Sequence, residues 1–186
     1  MGNAGGSRHG LIGKDDSLLL IIDMQERLFP VMAERERLMD NVIRLAKVSR
    51  ILGLPVLLTE QEKLGETLPE IRQELAGVER VPKIEFDCFA SGPFAERIKR
   101  LGRHVLIIAG IEAHICVSQT ALHGVSDYAV HVLSDAVSSR SPHNRKVALD
   151  RMMQGGVTVS STEMAIYELL GKAGTDTFKE VLKVVK

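Results

Sequence analysis

The sequence predicts a three-layer α/β/α domain built on a parallel, Rossmann-like sheet of about six strands. Strand-like and helix-like segments alternate along the 186 residues, which is the pattern of parallel strands joined by right-handed helical crossovers. The strand-like segments are almost continuously apolar, as expected for strands that helices cover on both faces. With 45% hydrophobic residues, the chain can bury a core of its own, so we expect a single globular domain.

Six apolar runs are the predicted strands. The first, SLLLIID, is followed after a helical pattern by PVLLTE, and each later run is again separated from the next by a helical pattern or a loop. Their short lengths and their Val, Ile and Leu content favour strands over buried helices. The predicted strands span residues 17–23, 55–60, 80–86, 104–110, 129–135 and 157–161.

Six helical patterns lie between and after these strands. Gly53 and Gly102 follow the first and third of them, as expected for helix C-caps. Thr162 and Glu163 are typical of a helix start with an acidic residue in the first turn. The predicted helices span residues 35–52, 68–76, 92–101, 116–126, 143–154 and 162–170.

The N-terminal segment and the overall charge indicate where the domain begins, which partners are not expected and in which compartment the protein is expected. Residues 1–15 are Gly-rich and polar and are expected to form a flexible tail before a single domain at residues 16–186. The chain carries 24 Lys+Arg and 24 Asp+Glu, so no net field would draw it to nucleic acid or to a membrane. The absence of a secretory apolar segment at the start predicts a cytoplasmic protein, in which both cysteines stay reduced.

Three reactive side chains occur at or near the ends of predicted strands. In an open parallel sheet the ligand crevice lies beyond the carboxyl ends of the strands, so Asp23, Lys83 and Cys116 are expected to meet at one edge. Taken singly, Asp23 has a simpler interpretation as a turn or cap residue and Lys83 as a solvated edge residue. Their combination is what indicates a site.

Cys116 is the candidate nucleophile, because it lies at the expected start of a helix. Unpaired N–H groups and a nearby ammonium, such as that of Lys83, would favour its thiolate. Asp23 could take the thiol proton and later return a proton to the leaving group. Cys88 is interpreted as a buried, small hydrophobic residue.

Four stretches together resemble the isochorismatase-like cysteine hydrolases, over about residues 16–171. The resemblance implies a catalytic triad of Asp23, Lys83 and Cys116. It also implies a non-proline cis peptide between Ile111 and Glu112, with an oxyanion hole formed by the backbone N–H groups of Glu112 and Cys116. The stretches are LLLIIDMQERLF, VPKIEFDCF, AGIEAHICVSQTAL and VLSDAVSSRSPHNRKVALDRMMQGGVTVSSTE.

The motifs also favour one branch of that family. Nicotinamidase-type members carry an Asp-x-His metal site after the second strand, where this chain has TEQEKLGET without histidine, so we expect no metal and no cofactor. In members that cleave the isochorismate vinyl ether, the corresponding motif resembles AHIG, with glycine in place of cysteine, whereas this chain has AHIC. The thiol therefore favours acyl chemistry, and the chain is most similar to the metal-free isochorismatase-domain hydrolases.

Further residues near the same strand ends are candidates for binding a small amide substrate. His114 could instead pack within its turn, and Phe29 could instead fix the loop before the first helix. The residues that follow the fifth strand match a loop of the family, and their simpler role is a turn that caps the next helix. The substrate-binding candidates are Gln25, Phe29, Gln61 and His114, and the loop residues are Ser138, Ser139 and Arg140.

Two classes of function remain open at this point. The first is a hydrolase that cleaves a C–N bond of a small amide through a thioester on Cys116, with vinyl ether hydrolysis as the alternative reaction. The second is a non-catalytic or redox-responsive binding protein that retains the fold, with an oxidisable Cys116. In both cases the expected partner is a small molecule, and the resemblance implies a homo-oligomer.

Overall fold

The computed structural model describes residues 10–186 and has a six-stranded parallel sheet flanked by helices on both faces, as the sequence predicted. The strand order is β3-β2-β1-β4-β5-β6, so the chain builds one half of the sheet outward from β1 and then the other half outward from β4. A ligand crevice is expected where the order reverses, between β1 and β4. The strands are β1 (Ser17–Ile22), β2 (Val56–Gln61), β3 (Arg80–Lys83), β4 (Val105–Ile111), β5 (Ala129–Ser138) and β6 (Thr158–Ser160).

Seven α-helices cover the described part of the sheet in two layers. Buried side chains place α1, α2, α6 and α7 against one face and α3, α4 and α5 against the other. The helices are α1 (Arg35–Leu52), α2 (Pro69–Glu74), α3 (Gly92–Leu101), α4 (Ser118–Gly124), α5 (Pro142–Gln154), α6 (Thr162–Leu170) and α7 (Asp176–Val185).

The central strand β1 shows why its sequence is continuously apolar. Leu19 and Ile21 pack into the core on the α1 side, whereas Leu18 and Leu20 pack into the core on the α4 side. All four are less than 2% exposed. Because successive side chains of a strand point to opposite faces, a strand covered twice needs an apolar residue at every position.

Several boundaries differ from the sequence-based prediction. β3 ends at Lys83 and β5 continues to Ser138, so the strand ends lie closer to the reactive residues than expected. The helix predicted to begin at residue 116 is preceded by a π-helical turn over Ala113–Val117. Helix α7 was not predicted; it packs on α1 and α6, where Val181 is buried.

Residues 1–9 of the predicted tail lie outside the described residues. Within the remainder of that segment, Ile12 is 2% exposed and its N–H donates to Glu168 at 2.9 Å. Packed structure therefore begins before residue 16. Among residues 10–186, no helix combines the length and the apolarity needed to cross a membrane.

Gly110 permits an unusually close approach of β1 and β4 next to the expected crevice. It has φ +121° and lies opposite Ile22 in the strand register. A Cβ atom at this position would lie 2.1 Å from the carbonyl oxygen of Ile22. Only glycine combines this φ with this separation, so Gly110 brings the strand ends that precede Asp23 and Cys116 into contact.

Candidate active site

Asp23 is the first residue after β1, and its backbone is turned out of the strand direction. Its φ is +51°, in the left-handed region that Asp tolerates better than most residues. The carboxylate is fully buried. The turn therefore ends the strand and brings a charged group into a site from which water is excluded.

Lys83 ends β3 and is ion-paired with Asp23. Its Nζ donates to Asp23 Oδ2 at 2.7 Å, and both side chains are 0% exposed. The same ammonium donates to Gln61 Oε1 at 2.8 Å and to the Glu85 carbonyl at 3.1 Å. All three N–H groups have acceptors, as a buried ammonium requires.

Thr59 completes this network and was not identified from the sequence. It lies near the end of β2, between β1 and β3 in the sheet, and its hydroxyl donates to Asp23 Oδ1 at 2.7 Å. Each oxygen of Asp23 therefore accepts a bond from a different strand, one from β2 and one from β3. The only sequence signal for Thr59 was its position in TEQ near a predicted strand end. Threonine is common in strands, so this position did not indicate a functional role.

Cys116 follows β4, the strand next to β1 in the sheet, and lies within the π-helical turn over Ala113–Val117. The peptide bond between Ile111 and Glu112 is cis, which confirms the expectation from the family resemblance. Among residues 10–186 the Glu112 N–H donates to no backbone carbonyl or side chain, so it is open to a ligand. Cys116 is 5% exposed.

Electrostatics at the thiol differ from the expectation. Burial raises the pKa of Cys116, the Asp23 carboxylate raises it further through its charge and through hydrogen bonding, and Lys83 lowers it only in part. The shift is therefore opposite in direction to the one expected from the sequence: the surroundings of Cys116 favour the neutral thiol over the thiolate. A carboxylate near a neutral thiol is the arrangement that general-base activation of a sulfur nucleophile requires.

Lys83 keeps its charge in this environment. Burial alone would lower the pKa of Lys83, but interaction with the Asp23 carboxylate, with contributions from Cys116 and Cys88, outweighs it and raises the pKa. The buried ammonium thus compensates for the charge of the Asp23 carboxylate and interacts favourably with a negative charge on Cys116. The three groups thus form one electrostatic unit.

Cys88 is a second buried thiol close to the same charges. Its backbone N–H donates to Thr120 Oγ1 at 3.0 Å, and its side chain is 0% exposed. Burial raises the pKa of Cys88 to about 12, with Lys83 lowering it in part. The structure agrees with the interpretation of Cys88 as a core residue.

Two of the substrate-binding candidates, Gln25 and Gln61, form hydrogen bonds within the protein that stabilise a loop and position Lys83. Gln25 is fully buried, and its Nε2 donates to the carbonyls of Gln61 and Gly65 at 3.0 and 2.7 Å, while its Oε1 accepts from the Gln61 N–H at 2.9 Å. Its amide therefore holds the loop after β2 and has no free hydrogen for a substrate. Gln61 bridges Lys83 and the Ile84 carbonyl, so it positions the ammonium.

The other two candidates differ in their placement. Phe29 begins a short 3-10 turn and packs against the core on the α1 side, whereas Cys116 belongs to the core on the opposite face. Phe29 thus fixes the loop before α1, the simpler of its two roles. His114 is half-buried in the turn that carries Cys116, and its Nδ1 pairs with Ser139 Oγ at 2.9 Å, which leaves Nε2 for a ligand.

An ion pair joins the loops that follow β4 and β5. Glu112 Oε1 accepts from Arg140 Nε at 3.0 Å and from the Arg140 backbone N–H at 3.2 Å. The Glu112 side chain is 5% exposed and that of Arg140 59%. Ser138, the last residue of β5, bonds the Ala33 carbonyl and so ties the loop after β1 to the same edge.

No group of three or more His, Cys, Asp or Glu side chains within residues 10–186 is arranged to hold a metal ion. The acidic groups at the strand ends, Asp23 and Glu112, are paired with Lys83 and Arg140 instead. The expectation of a metal-free site stays a prediction.

The larger surface grooves lie elsewhere. One of about 650 Å³ runs along α1, α2 and α7 and is lined largely by charged side chains, including Arg44, Lys47 and Glu74. It contains none of the groups at the strand ends. The candidate site is therefore identified by its reactive groups and not by a groove, and Cys116 itself is 5% exposed.

Comparisons with known proteins agree with this geometry. The Isochorismatase domain matches residues 17–164. Isochorismatase domain-containing protein 2A of Mus musculus is 36% identical over 183 residues, covering 95% of this chain and 86% of the mouse protein. MAR1 ribonuclease from Caenorhabditis elegans superposes with a TM-score of 0.88 at 33% identity, covering 94% of this chain and 92% of its own.

A more distant structure has the same fold. The YcaC gene product of Escherichia coli superposes with a TM-score of 0.90 at 23% identity, covering 96% of this chain and 91% of its own. At that identity the likeness concerns the fold alone. The comparisons therefore agree on one architecture, that of the isochorismatase fold.

Proposed function

This chain belongs to the isochorismatase family, and we propose that it is a cysteine hydrolase that cleaves a C–N bond of a small amide through a thioester. One observation supports the proposal: the Lys83–Asp23 pair is fully buried, and both of its charges shift the pKa of the Cys116 thiol. An isolated buried ion pair contributes little net stability, because desolvation offsets the attraction between the charges. A buried ion pair that also shifts the pKa of a thiol is better explained by a catalytic role than by a contribution to stability.

The proposed reaction begins with transfer of the Cys116 proton to Asp23 as the sulfur attacks the substrate carbonyl. The N–H groups of Glu112 and Cys116 stabilise the resulting oxyanion, and Lys83 holds the positive charge of the site throughout. Asp23 then gives the proton to the departing nitrogen, which leaves as an amine or ammonia. Finally, water activated by Asp23 cleaves the thioester and releases the acid and the free thiol.

The thiol is what favours amide cleavage over vinyl ether hydrolysis. Vinyl ether cleavage requires protonation of a carbon and has no use for a sulfur nucleophile. A buried cysteine beside a carboxylate and a lysine matches the arrangement of nucleophile, base and orienting group that acyl transfer needs. The expected substrate is therefore an amide, and the expected covalent species is an acyl-Cys116.

The ribonuclease name of the Caenorhabditis elegans neighbour makes RNA a second substrate class to test. The equal numbers of basic and acidic residues do not favour binding to a polyanion. An assay with single-stranded RNA is therefore a control, for which we expect no cleavage. The Escherichia coli neighbour is described as an octameric hydrolase, and we propose that this chain also forms a homo-oligomer, which light scattering would measure.

Intact-mass spectrometry after rapid acid quench tests the mechanism. Mixing the protein with a panel of small amides, ureides and vinyl ethers should give an acyl adduct with an amide, and peptide mapping should place it on Cys116. The Cys116→Ala variant is the control and should give no adduct. Turnover of an amide by Cys116→Ala at the parent rate would refute the covalent mechanism and favour the binding-protein alternative.

A further inference from the structure

We infer that Arg140 binds a carboxylate of the substrate, so that the preferred substrates are small amides with an anionic group at the end away from the scissile bond. This inference rests on the proposed amide hydrolysis and specifies its substrate class. It follows from the position of Arg140, from its unused hydrogen-bond donors and from the way in which Glu112 holds it.

Arg140 lies beside the loop that carries the nucleophile. Ser138 pairs with Ile111 in the sheet, so the residues that follow these two strands leave the sheet side by side. Arg140 then contacts Glu112 through both its backbone and its side chain. The guanidinium is therefore bonded to a residue whose own N–H is a proposed donor to the oxyanion.

Most hydrogen-bond donors of Arg140 are unused. A guanidinium has five N–H groups, and within residues 10–186 only the Nε–H of Arg140 has a partner, Glu112 Oε1. The side chain is 59% exposed, so the remaining donors are accessible from solvent. The edge formed by the two Nη groups can bind a carboxylate through two parallel hydrogen bonds.

Glu112 gives this guanidinium a fixed direction. Its carboxylate is almost fully buried and binds the Nε–H and the backbone N–H of Arg140 with one oxygen. An arginine held at Nε presents its Nη edge away from the holding group, and it loses less side-chain entropy when a ligand binds. The site is thus organised before the substrate arrives.

Two other arginines, Arg145 and Arg35, donate their hydrogen bonds to backbone carbonyls. Arg145 is 21% exposed and donates to the carbonyls of Val137 and Ser134, so it stabilises the end of β5. Arg35 is exposed at the start of α1 and donates to the Pro30 carbonyl. Of these three, only Arg140 is bonded to a residue of the proposed oxyanion hole, and Arg35 is a suitable control.

The experiment compares an anionic amide with its neutral isostere. Succinamate carries a carboxylate, and levulinamide has a methyl ketone in its place. We expect the parent protein to prefer succinamate in kcat/KM. Arg140→Met should lower kcat/KM for succinamate by about 10- to 100-fold, as for loss of a charge-assisted hydrogen bond, and should leave levulinamide within about threefold. Arg35→Met should change neither value.

Shorter and longer ω-amido acids, malonamate and glutaramate, cover other distances between the carbonyl and the carboxylate. Arg140→Lys should recover part of the preference, because it retains the charge but not the planar fork. The double variant Arg140→Met/Glu112→Gln removes the carboxylate that the single variant leaves unpaired. It should still lose the preference for the acid.

Two results would overturn the inference. An equal loss on acids and neutral isosteres would mean that Arg140 only neutralises Glu112, and an unchanged preference in Arg140→Met would exclude a role in recognition. Calorimetric binding of succinamate to Cys116→Ala, with and without Arg140→Met, gives a readout that does not depend on turnover. If no amide is hydrolysed, this binding difference still decides the inference, whereas the covalent mechanism fails separately.

Discussion

The two halves of the sheet contribute to the candidate site in opposite ways. At the ends of β1, β2 and β3, the polar atoms of Asp23, Lys83 and Gln25 are bonded to protein groups and are buried. At the ends of β4 and β5, the Glu112 N–H is unpaired within the described residues, and Arg140 is largely exposed with most donors unused. The β1–β3 half is suited to moving a proton and the β4–β5 half to receiving a substrate.

This contrast shows how a small domain combines rigidity with binding. Saturated hydrogen bonds fix the charges that must not move during the reaction, and pre-organised charges reduce the cost of reorganisation in the transition state. The hydrogen-bond donors at the ends of β4 and β5 that are unpaired within the described residues are available to bind the substrate. Variants of the β4–β5 half should therefore lower activity with little effect on stability, whereas variants of the β1–β3 half should lower the free energy of unfolding as well.

The largest expected effect is on activity, at the nucleophile in the β4–β5 half. Cys116→Ala should lower amide turnover by about four orders of magnitude, because the covalent step is lost. Its free energy of unfolding should change by less than about 2 kcal/mol, since only one sulfur atom is removed. Steady-state kinetics and urea denaturation measure the two quantities. Cys88→Ala is the matched control and should retain turnover within a few-fold; comparable loss in both variants would contradict the assignment.

The next effect is on stability, at the ion pair of the β1–β3 half. Lys83→Met should lower the free energy of unfolding by about 3–5 kcal/mol, because it leaves the Asp23 charge buried without its cation. Lys47→Met removes a half-exposed partner of Glu74 and should cost less than about 1 kcal/mol. Denaturant titration checks both values.

A double variant sharpens this result. Lys83→Met with Asp23→Leu should recover much of the lost stability, since a buried ion pair can be replaced by apolar groups at little cost. It should remain inactive. If the double variant were no more stable than Lys83→Met, the loss would come from packing and not from an unpaired charge.

A smaller effect is expected at Gln25, which braces the loop after β2. Gln25→Ala removes the partners of two carbonyls and one N–H and should lower the free energy of unfolding by about 1–3 kcal/mol. Thermal and urea unfolding measure it. Gln73→Ala, at an exposed position of α2, should be nearly neutral. If Gln25→Ala raised only the KM for an amide without loss of stability, Gln25 would be a substrate ligand after all.

The smallest effect is a dependence of stability on alkaline pH. The pKa values of Cys88 and Cys116 are raised above the ordinary value of 9.0, so the unfolded chain loses these protons at a lower pH than the folded chain. Above pH 9 the folded state thus holds more protons, and the free energy of unfolding falls as pH rises.

The expected slope is about 1 kcal/mol per thiol for each pH unit above 9, with no dependence from these groups between pH 7 and 8. Urea titrations at a series of pH values measure it. Cys88→Ala should reduce the slope by removing one of the two groups. An unchanged slope in that variant would show that the Cys88 thiol ionises alike in both states.

Much of the architecture was predictable because its signals are local. Continuous apolar runs such as SLLLIID identify strands covered on both faces, and alternation with helices fixes a parallel sheet. Helix α7 escaped prediction, although Thr175 caps it and its apolar positions face α1 and α6. The amphipathic signal was there, but no strand followed it to make it part of the alternating pattern.

The sequence by itself determined which reactive groups gather at the sheet edge, because the carboxyl ends of parallel strands always meet there and Asp23, Lys83 and Cys116 each lie close to a strand end. Only the tertiary structure decided what each group does. Hydrogen bonds such as Thr59 to Asp23 and Gln61 to Lys83 depend on strand register across 36 and 22 residues, for which no local signal exists. The raised pKa of Cys116 likewise depends on how deeply the surrounding layers bury the thiol beside Asp23, because the desolvation of a charge is set by three-dimensional packing and not by sequence neighbours.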